Sequence, residues 1–434
     1  ASQRPPFAFF ARCDTLGGTQ TRTHMKTKTD LLTGSISDKI LRFAIPLAIT
    51  GILQQLFNAA DVMVVGRFAS KYAMAAVGSN TPVIGILVNL FIGISVGVNV
   101  VIARCIGQKK GEGIRQSIGS AVVLSLCGGC LLALLGQAIA RPLLSLMSVP
   151  DEVFPMALAY FRIYTAGMPA ILLYNFEAAI FRAGGDTKTP LACLLVAGIL
   201  NVGLNLFFVI VLGRDADGVA TATVISNLAS ALIMLVLLCR SRDEIRLEKR
   251  FLQPDRAVLR EILRIGLPAG VQAMLFSFSN IIIQSAINSL GPDIMAASAA
   301  AFNVEIFSYF VINAFGQACT TFIGQNYGAR QLDRCRKVTR RALLLDLACT
   351  AVMSVLIISF AHRILGLFND DPAVIAYGRT RIMFITPFQL LNVLMEIFSG
   401  SLPPPPQSPS SACARCGSPG CARPSPPIAT STPS

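Results

Sequence analysis

Acidic and amide side chains stand inside strongly apolar stretches of this sequence, where a charged group needs a reason to be. An ionised side chain at the centre of a bilayer costs roughly 2.5 to 3.5 kcal/mol even on lenient insertion scales. Gln54, Asn58 and Asp61 follow the spacing i, i+4 and i+7, which places them on one helical face suited to line a cavity. On such a face Asp61 could exchange a proton or hold Na+. The alternative is a hydrated capping role near the end of the helix.

Three glutamates occupy later apolar stretches. Glu305 and Glu396 are flanked by large apolar residues, so either could accept the positive charge of a substrate or of Na+. A structural hydrogen bond between helices is the alternative for both. Glu177 lies five residues before Arg182, and the two side chains could simply pair.

Two further polar positions complete the set of intramembrane candidates. Asn205 is an amide inside an apolar stretch, and we include it among the candidate cation-coupling and substrate-binding residues. Asp346 is expected to pair with Arg340 or Arg341. The 12 cysteines are scattered and the chain has only two histidines, so no metal site is expected.

The composition requires these residues to be positioned by membrane-spanning elements. The chain has 434 residues, of which 53% are hydrophobic and 14% charged, and its mean hydropathy is +0.62. Apolar segments of about 20 residues, the length that crosses a bilayer core of roughly 30 Å as a helix, recur along it. These segments lack the in-out alternation of a barrel, so we predict an all-α polytopic membrane protein. The ten predicted spans are 40–66, 80–105, 116–140, 153–180, 188–212, 218–239, 261–289, 294–324, 338–361 and 374–401.

An internal repeat organises these spans. Leu41 to Pro46 resembles Leu263 to Pro268 at an offset of 222 residues, and Ile106-Gly107-Gln108 recurs as Ile323-Gly324-Gln325 at an offset of 217. Each copy begins a set of six spans, an even number, so both copies enter the membrane from the same side. We therefore predict a two-lobe bundle of parallel six-helix repeats. The second lobe is incomplete, with four of its expected six spans.

The positions of the basic residues indicate how the chain is oriented in the membrane rather than a nucleic-acid partner. The formal net charge is +14, but Lys and Arg lie in short clusters between spans. If the chain starts in the cytoplasm, 24 of them fall on the inner side and eight on the outer side. We predict a multi-pass protein of the cell membrane with a cytoplasmic N-terminus and no nucleic-acid partner.

The ends of the chain differ from its middle. Residues 1–30 are predicted to be a non-native or disordered leader, and 403–434 a disordered Pro/Ser-rich tail, which we interpret as frameshifted. Between them we predict an N-lobe of six spans, a basic cytoplasmic linker and a C-lobe of four spans. Their bounds are 31–240, 241–260 and 261–402.

Several local motifs, taken in order, resemble one transporter family. The chain is similar over about 31–402 to the MATE family, the multidrug and toxic compound extrusion transporters, and looks truncated after the tenth helix. Span seven carries Phe276, Ser277 and Asn280 where some of these transporters have a carboxylate. The residues that carry the resemblance are Pro46, Gln54 to Asp61, Gly66, Ala75 to Gly78, Arg182 to Thr187, Pro190, Asn201 to Asn205 and Gly324 to Ala329.

The resemblance implies secondary active transport rather than covalent chemistry. Efflux of cationic amphipathic small molecules would be driven by inward H+ or Na+ through alternating access of two lobes. The sequence has no nucleophile–base pair, phosphate-binding loop or Walker motif, so we predict neither an enzyme nor an ATP-driven pump, and no cofactor beyond the coupling ion. A monomer in the bilayer is expected. The alternatives are a flippase for a lipid or lipid-linked saccharide, and a nonfunctional truncated product.

Overall fold

The described part of the chain is almost entirely helical. The computed structural model describes residues 29–147, 149–241, 244–366 and 371–402, and no β-strand occurs within these ranges. A π-helical turn, Phe207–Val211, follows the sixth helix, and a short 3-10 turn, Lys249–Phe251, precedes the eighth. The α-helices are α1 (Ile36–Phe68), α2 (Lys71–Gly107), α3 (Gly111–Leu146), α4 (Phe154–Ala166), α5 (Met168–Ala183), α6 (Lys188–Leu206), α7 (Ala216–Arg240), α8 (Arg256–Asn288), α9 (Pro292–Gly328), α10 (Leu332–Leu365) and α11 (Pro372–Ser401).

The predicted spans and the helices agree. Among the described residues, nine helices are long and apolar enough to cross a membrane, and the pair α4 and α5 supplies a tenth crossing if it counts as one bent span. The all-helical polytopic fold predicted from the sequence is confirmed. The fourth predicted span, 153–180, is the bent pair, whose two axes differ by 46°.

The bend in the fourth span has a local cause. Pro169 stands in the first turn of α5, where its missing N–H and fixed φ favour the start of a new helix. Gly167 lies at the break, and its amide donates to the carbonyl oxygens of Ile163 and Tyr164. Val224 of α7 packs against Gly167 where a Cβ would otherwise stand. A glycine at this position therefore lets α7 pack closely against the bend.

Two lobes divide the helices, and we call α1–α7 the N-lobe and α8–α11 the C-lobe. The N-lobe core is formed by apolar side chains of α2, α3, α5 and α7. The C-lobe core lies among α9, α10 and α11, and it also receives Phe43 and Leu47 from the first half of α1. Phe43 packs edge-on against Phe322 of α9, with ring centroids 5.8 Å apart. Helix α1 thus bridges the two lobes.

The lobes meet along a seam between α2 and α8. Gly93 and Gly97 of α2 lie against the backbone of α8 at Gly270 and Gly266. Nearer the linker, Arg104 of α2 forms an ion pair with Glu261 of α8. The exposed fractions of these two side chains are 3% and 21%, so the pair is largely removed from solvent.

The N-terminal segment 29–35 ties the same end of the bundle together. The Thr29 amide donates to the carbonyl oxygen of Gly185 in the N-lobe at 3.0 Å. From the C-lobe, Asn326 donates to the Leu31 carbonyl at 3.2 Å and Arg334 donates to the Thr33 carbonyl at 2.7 Å. We call this the linker end of the bundle, because 244–255 crosses it.

The turns that follow the second span of each lobe share one backbone form. Lys109 and Arg330 both have a positive φ, 54° and 59°. In each turn the next amide, of Lys110 or Gln331, reaches back five residues to a helical carbonyl. This common form agrees with the internal repeat. The predicted leader and tail lie outside the described residues, except for Thr29 and Asp30.

Candidate functional site

Asp61 lies in a polar cluster where α1, α6 and α7 meet. The Asn205 side-chain amide donates to Oδ1 of Asp61 at 2.5 Å, and the Thr223 hydroxyl lies 3.5 Å from Oδ2. Asn205 also donates to Asn201 at 3.3 Å, and Asn201 donates to Thr223 at 3.4 Å. The structure therefore places two of the predicted residues, Asp61 and Asn205, in direct contact.

Close helix packing brings this cluster together. Gly198 of α6 has no side chain, so the ring of Phe57 lies against its backbone. One turn further along α1 from Phe57 is Asp61, and along α6 the corresponding residues are Asn201 and Asn205. Both asparagines belong to the buried face of α6. The contact between Asp61 and Asn205 is thus a consequence of the Phe57–Gly198 approach.

The cluster has an unused acceptor. Asn205 is fully buried, and its Oδ1 has no hydrogen-bond partner in the described part of the chain. A buried carbonyl oxygen without a donor is unfavourable unless something occupies it transiently. The helix widens to a π turn at Phe207–Val211, which begins two residues after Asn205, and such turns are frequent at functional sites. A carboxylate beside a free amide oxygen is a donor set suited to a small cation.

Two tyrosines from the bent span stand next to the cluster. Tyr160 and Tyr164 of α4 stack at 6.0 Å between ring centroids, and both lie close enough to Asp61 to interact electrostatically. Neither was predicted from the sequence. The spacing i, i+4 of two tyrosines in an apolar span was the available signal, but it did not indicate which helix they would face.

Gln54 and Asn58 lie on an open face of α1. Both side chains are exposed, and Asp61 is half-buried. One turn before Gln54, on the same side, Gly51 meets the ring of Phe310 from α9. Gln54 and Asn58 therefore lie on the side of α1 that meets the C-lobe, whereas Asp61 of the same predicted face turns to α6 and α7 of the N-lobe.

Glu396 stands in the C-lobe beside α9. Its carboxylate occupies the space next to Gly316, where a Cβ would lie 3.2 Å from Oε2. It lies close enough to Tyr309 and Asp346 to interact electrostatically with both. The Tyr309 ring stacks on Phe276 of α8 with centroids 6.3 Å apart. Glu396 thus lies within electrostatic range of one ring of an aromatic pair and of a second carboxylate.

The prediction for Asp346 is wrong. No ion pair joins Asp346 to Arg340 or Arg341 among the described residues; the carboxylate is fully buried and accepts a hydrogen bond from Thr350 at 3.2 Å. Its other oxygen has no partner in the described part of the chain. The cause is helical phase, because Asp346 follows the buried stripe of α10 whereas the two arginines fall on exposed faces.

Glu305 is neutralised within the C-lobe. Arg381 of α11 donates to both of its carboxylate oxygens, each at 3.1 Å, and also contacts the hydroxyl of Ser298. Glu305 is 8% exposed. This bidentate geometry is typical of a strong ion pair between helices. A positive charge from the protein therefore already occupies the position at which a cationic substrate was predicted.

Glu177 is isolated. The residue is fully buried on α5, and neither carboxylate oxygen has a hydrogen-bond partner in the described residues. No ion pair joins it to Arg182 there, five positions further along the chain. An ionised carboxylate without a counter-charge is costly at such a position. Cys193 of α6 lies within electrostatic range of Glu177.

Comparison with known proteins places the chain in a family. The sequence profile of the MatE family matches residues 46–207 and 268–403. The chain is 31% identical over 353 residues to the probable multidrug resistance protein YoeA of Bacillus subtilis, covering 79% of this chain and 76% of that protein.

Solved structures agree with the sequence comparison. A multidrug resistance MATE family transporter of the MOP superfamily in an outward-facing conformation is 25% identical, with a TM-score of 0.79 over 86% of this chain and 84% of that one. A MOP superfamily transporter from Pyrococcus furiosus, whose binding pocket is described as having reversed polarity, is 26% identical with a TM-score of 0.78 at the same coverage. Because the profile covers more than half of the sequence and a relative above 30% identity aligns over most of both proteins, the chain belongs to the MatE family of membrane transporters.

Proposed function

We propose that this protein exports cationic amphipathic small molecules across the cell membrane in exchange for inward H+ or Na+. The observation that carries the proposal is the Asp61 carboxylate beside the buried, unpaired Oδ1 of Asn205. These two oxygens, with the Thr223 hydroxyl, offer a proton acceptor or a partial coordination shell for Na+. The names of the relatives support the same function, since YoeA is described as a probable multidrug resistance protein.

Loading the cation site changes how α1 is held. With an ionised Asp61, the bond from Asn205 is charge-assisted and roughly twice as strong as a neutral one. A proton on Asp61 removes that assistance, and Na+ competes with Asn205 for the same oxygen. Either event weakens the attachment of α1 to α6. Because the first half of α1 packs into the C-lobe core through Phe43 and Leu47, the change at Asp61 is transmitted to the lobe interface.

The exported molecule would bind between the lobes. Gln54 and Asn58 supply polar groups from α1, and Glu396 supplies a negative charge from α11. The stacked rings of Phe276 and Tyr309 add faces that attract a cation. A flat, positively charged drug suits this combination. The drug would be released when the coupling cation binds at Asp61 and weakens the attachment of α1 to α6.

The remaining predicted carboxylates take different parts in this scheme. Glu177 would serve as a second protonation site inside the N-lobe, since both of its buried carboxylate oxygens lack a partner among the described residues. Glu305 would hold α9 and α11 together through Arg381 and thereby position Glu396. Both roles are proposals that the same variants can test, because replacement of each carboxylate by its amide keeps the shape of the side chain.

Alternating access would open and close the seam between α2 and α8. With the N-terminus in the cytoplasm, the linker end faces the cytoplasm. The packed linker end, with the Arg104–Glu261 pair and the segment 29–35, then corresponds to a transporter closed on its inner side. The exposed Gln54 and Asn58 are in that state accessible from outside.

Efflux from ethidium-loaded cells tests the proposed function. Wild-type protein should lower cellular fluorescence at a rate that follows an imposed pH or Na+ gradient. Asp61→Asn keeps the shape and hydrogen bonding of the side chain but removes its charge, so gradient-driven efflux should be lost at normal membrane abundance. Asp38→Asn, on an exposed turn of the same helix, is the matched control. Efflux that ignores both gradients, or persists unchanged in Asp61→Asn, would reject the proposal.

A further inference from the structure

A basic and apolar groove runs along the beginning of α8. Arginines and leucines alternate there, each type with the spacing i, i+4 and i+8, so both form stripes on neighbouring sides of one helical face. The groove has a volume of about 520 Å³. Its lining consists of Arg256, Arg260, Arg264, Leu259, Leu263 and Leu267.

The three arginines have no acidic partner. All three side chains are exposed, and none forms an ion pair or a side-chain hydrogen bond with any described residue. The nearby acid Glu261 is engaged by Arg104, and Glu248 is engaged by Arg115 at 3.2 Å. Three positive charges within about 12 Å of helix are therefore left for a ligand from outside the chain.

The internal repeat shows that the unpaired arginines are specific to the second copy. At the offset of 222 residues, Arg264 corresponds to Arg42 on α1, and Arg260 corresponds to Asp38. Asp38 and Arg42 form an i, i+4 ion pair at 3.1 Å, so the first copy neutralises itself. The second copy has an arginine in place of the acid and keeps its charge.

The corresponding face of α1 is also exposed, which indicates that the exposure of the groove on α8 is a property of the fold. The exposed fractions of Asp38 and Arg42 are 54% and 72%, and Ile45, which corresponds to Leu267, is 54% exposed. All six spans of the N-lobe are present around α1. An open groove at this position therefore does not depend on which helices accompany α8.

The groove lies at the level of the lipid headgroups. Helix α8 has 33 residues and is about 50 Å long, whereas the hydrocarbon core of a bilayer is about 30 Å thick. If the excess is shared between the two ends, about 10 Å of α8 projects at the linker end, a stretch that carries Arg256 and Arg260 and ends just before Arg264. Leu267 and the apolar residues beyond it then enter the acyl region.

We propose that this groove binds an anionic phospholipid, with its phosphate among the three guanidinium groups and an acyl chain along the leucine stripe. Arginine forks match phosphate oxygens in geometry, and basic pockets at a membrane surface recognise anionic headgroups. The leucines form an apolar side of the groove, which an acyl chain would cover and a soluble phosphate would leave exposed. Bound lipid would rest on the C-lobe side of the seam, beside Glu261, and stabilise α8 there.

Native mass spectrometry of the purified full chain in detergent tests the proposal. Titration with phosphatidylglycerol should give one saturable lipid adduct, whereas phosphatidylcholine with the same acyl chains should not. Replacing all three arginines by glutamine should weaken phosphatidylglycerol binding by about a hundredfold, given the contribution of about 1 kcal/mol per basic residue near an anionic surface. Arg260→Asp, which restores the ion pair found on α1, should have most of this effect alone.

Two controls separate the site from charge in general. Lys337, Arg340 and Arg341 of α10 lie exposed at the same end of the bundle, and changing them to glutamine removes the same charge. Equal loss of binding in this control would overturn the proposal in favour of unspecific attraction. Competition by inorganic phosphate at concentrations similar to the lipid would also overturn it, because the leucine stripe would then contribute nothing. Unchanged binding in the Arg260→Asp protein would exclude the groove.

Discussion

Removing the charge of Glu261 should open the linker end of the transporter. Glu261 is the only acid that contacts Arg104 in the described residues, and Arg104 is 3% exposed. In Glu261→Gln the guanidinium stays buried without a counter-charge. Breaking one side of a buried ion pair costs about 3 to 5 kcal/mol. Because Glu261 is itself 21% exposed, we take the lower limit of about 3 kcal/mol.

That cost falls only on the conformation in which the lobes meet at the seam. In the opposite conformation Arg104 reaches water and needs no partner. The ratio of closed to open linker ends should therefore fall by about a hundredfold, since 1.4 kcal/mol corresponds to a factor of ten. A protein that is almost wholly closed at this end would become a mixture or mostly open.

Pulsed electron spin resonance measures this change directly. Spin labels at Lys110 and Gln331, which occupy equivalent exposed turns of the two lobes, report the separation of the linker ends on a cysteine-free background. The Glu261→Gln protein should show a longer distance population that the wild type lacks. Glu248→Gln is the matched control, because Glu248 forms a partly exposed ion pair with Arg115 at the same end, worth about 1 kcal/mol or less. Identical distance distributions for Glu261→Gln and the wild type would refute the reasoning.

Three further predictions concern the seam, the C-lobe and the cation site. Gly97→Val should open the linker end as Glu261→Gln does, because a Cβ at Gly97 would lie 2.4 Å from the Ile262 carbonyl oxygen. Gly85→Val on the same helix is the control, because a Cβ there meets open space. The same spin-label distances should lengthen in the first variant and not in the second. Arg381→Gln should lower the thermal unfolding temperature in detergent by leaving Glu305 buried and unpaired, while the exposed Arg379→Gln should not; equal melting of the two would contradict the proposed role of the pair. Asn205→Ala should abolish gradient-driven efflux, while Asn227→Ala, which loses only a bond to the Thr223 carbonyl, should retain it; full efflux by Asn205→Ala would remove Asn205 from the site.

The sequence was sufficient for the membrane-spanning helices, because they depend on local properties. Apolar runs of a fixed length predict spans, and the spacing of Gln54, Asn58 and Asp61 predicts a shared face. The partners of buried charges depend on tertiary packing instead. Arg381 lies 76 residues from Glu305, so nothing in the local sequence of either residue indicated that the two would pair.

Asp346 shows the same limit within one helix. The nearby Arg340 and Arg341 suggested an ion pair, but Asp346 lies on the buried side of α10 and the two arginines do not. Thr223 and Tyr160 were missed for a related reason, since common residues in apolar spans acquire a role only through their neighbours. The close approach of α2 and α8 also escaped detection, because it relies on glycines that face each other across the two lobes.

Ion movement driven by a drug gradient tests the central claim most directly. Purified protein in liposomes, loaded with ethidium and held at equal pH and Na+ on both sides, should move H+ or Na+ in the direction opposite to the drug, as read by a dye for each ion inside the vesicles. Because no ion gradient is present at the start, such ion flow requires that the drug and the ion are moved in the same transport cycle. Asp61→Asn should bind drug yet move no ion. Drug movement by the wild type without any counter-flow of H+ or Na+, or equal counter-flow in Asp61→Asn, would contradict coupling at Asp61.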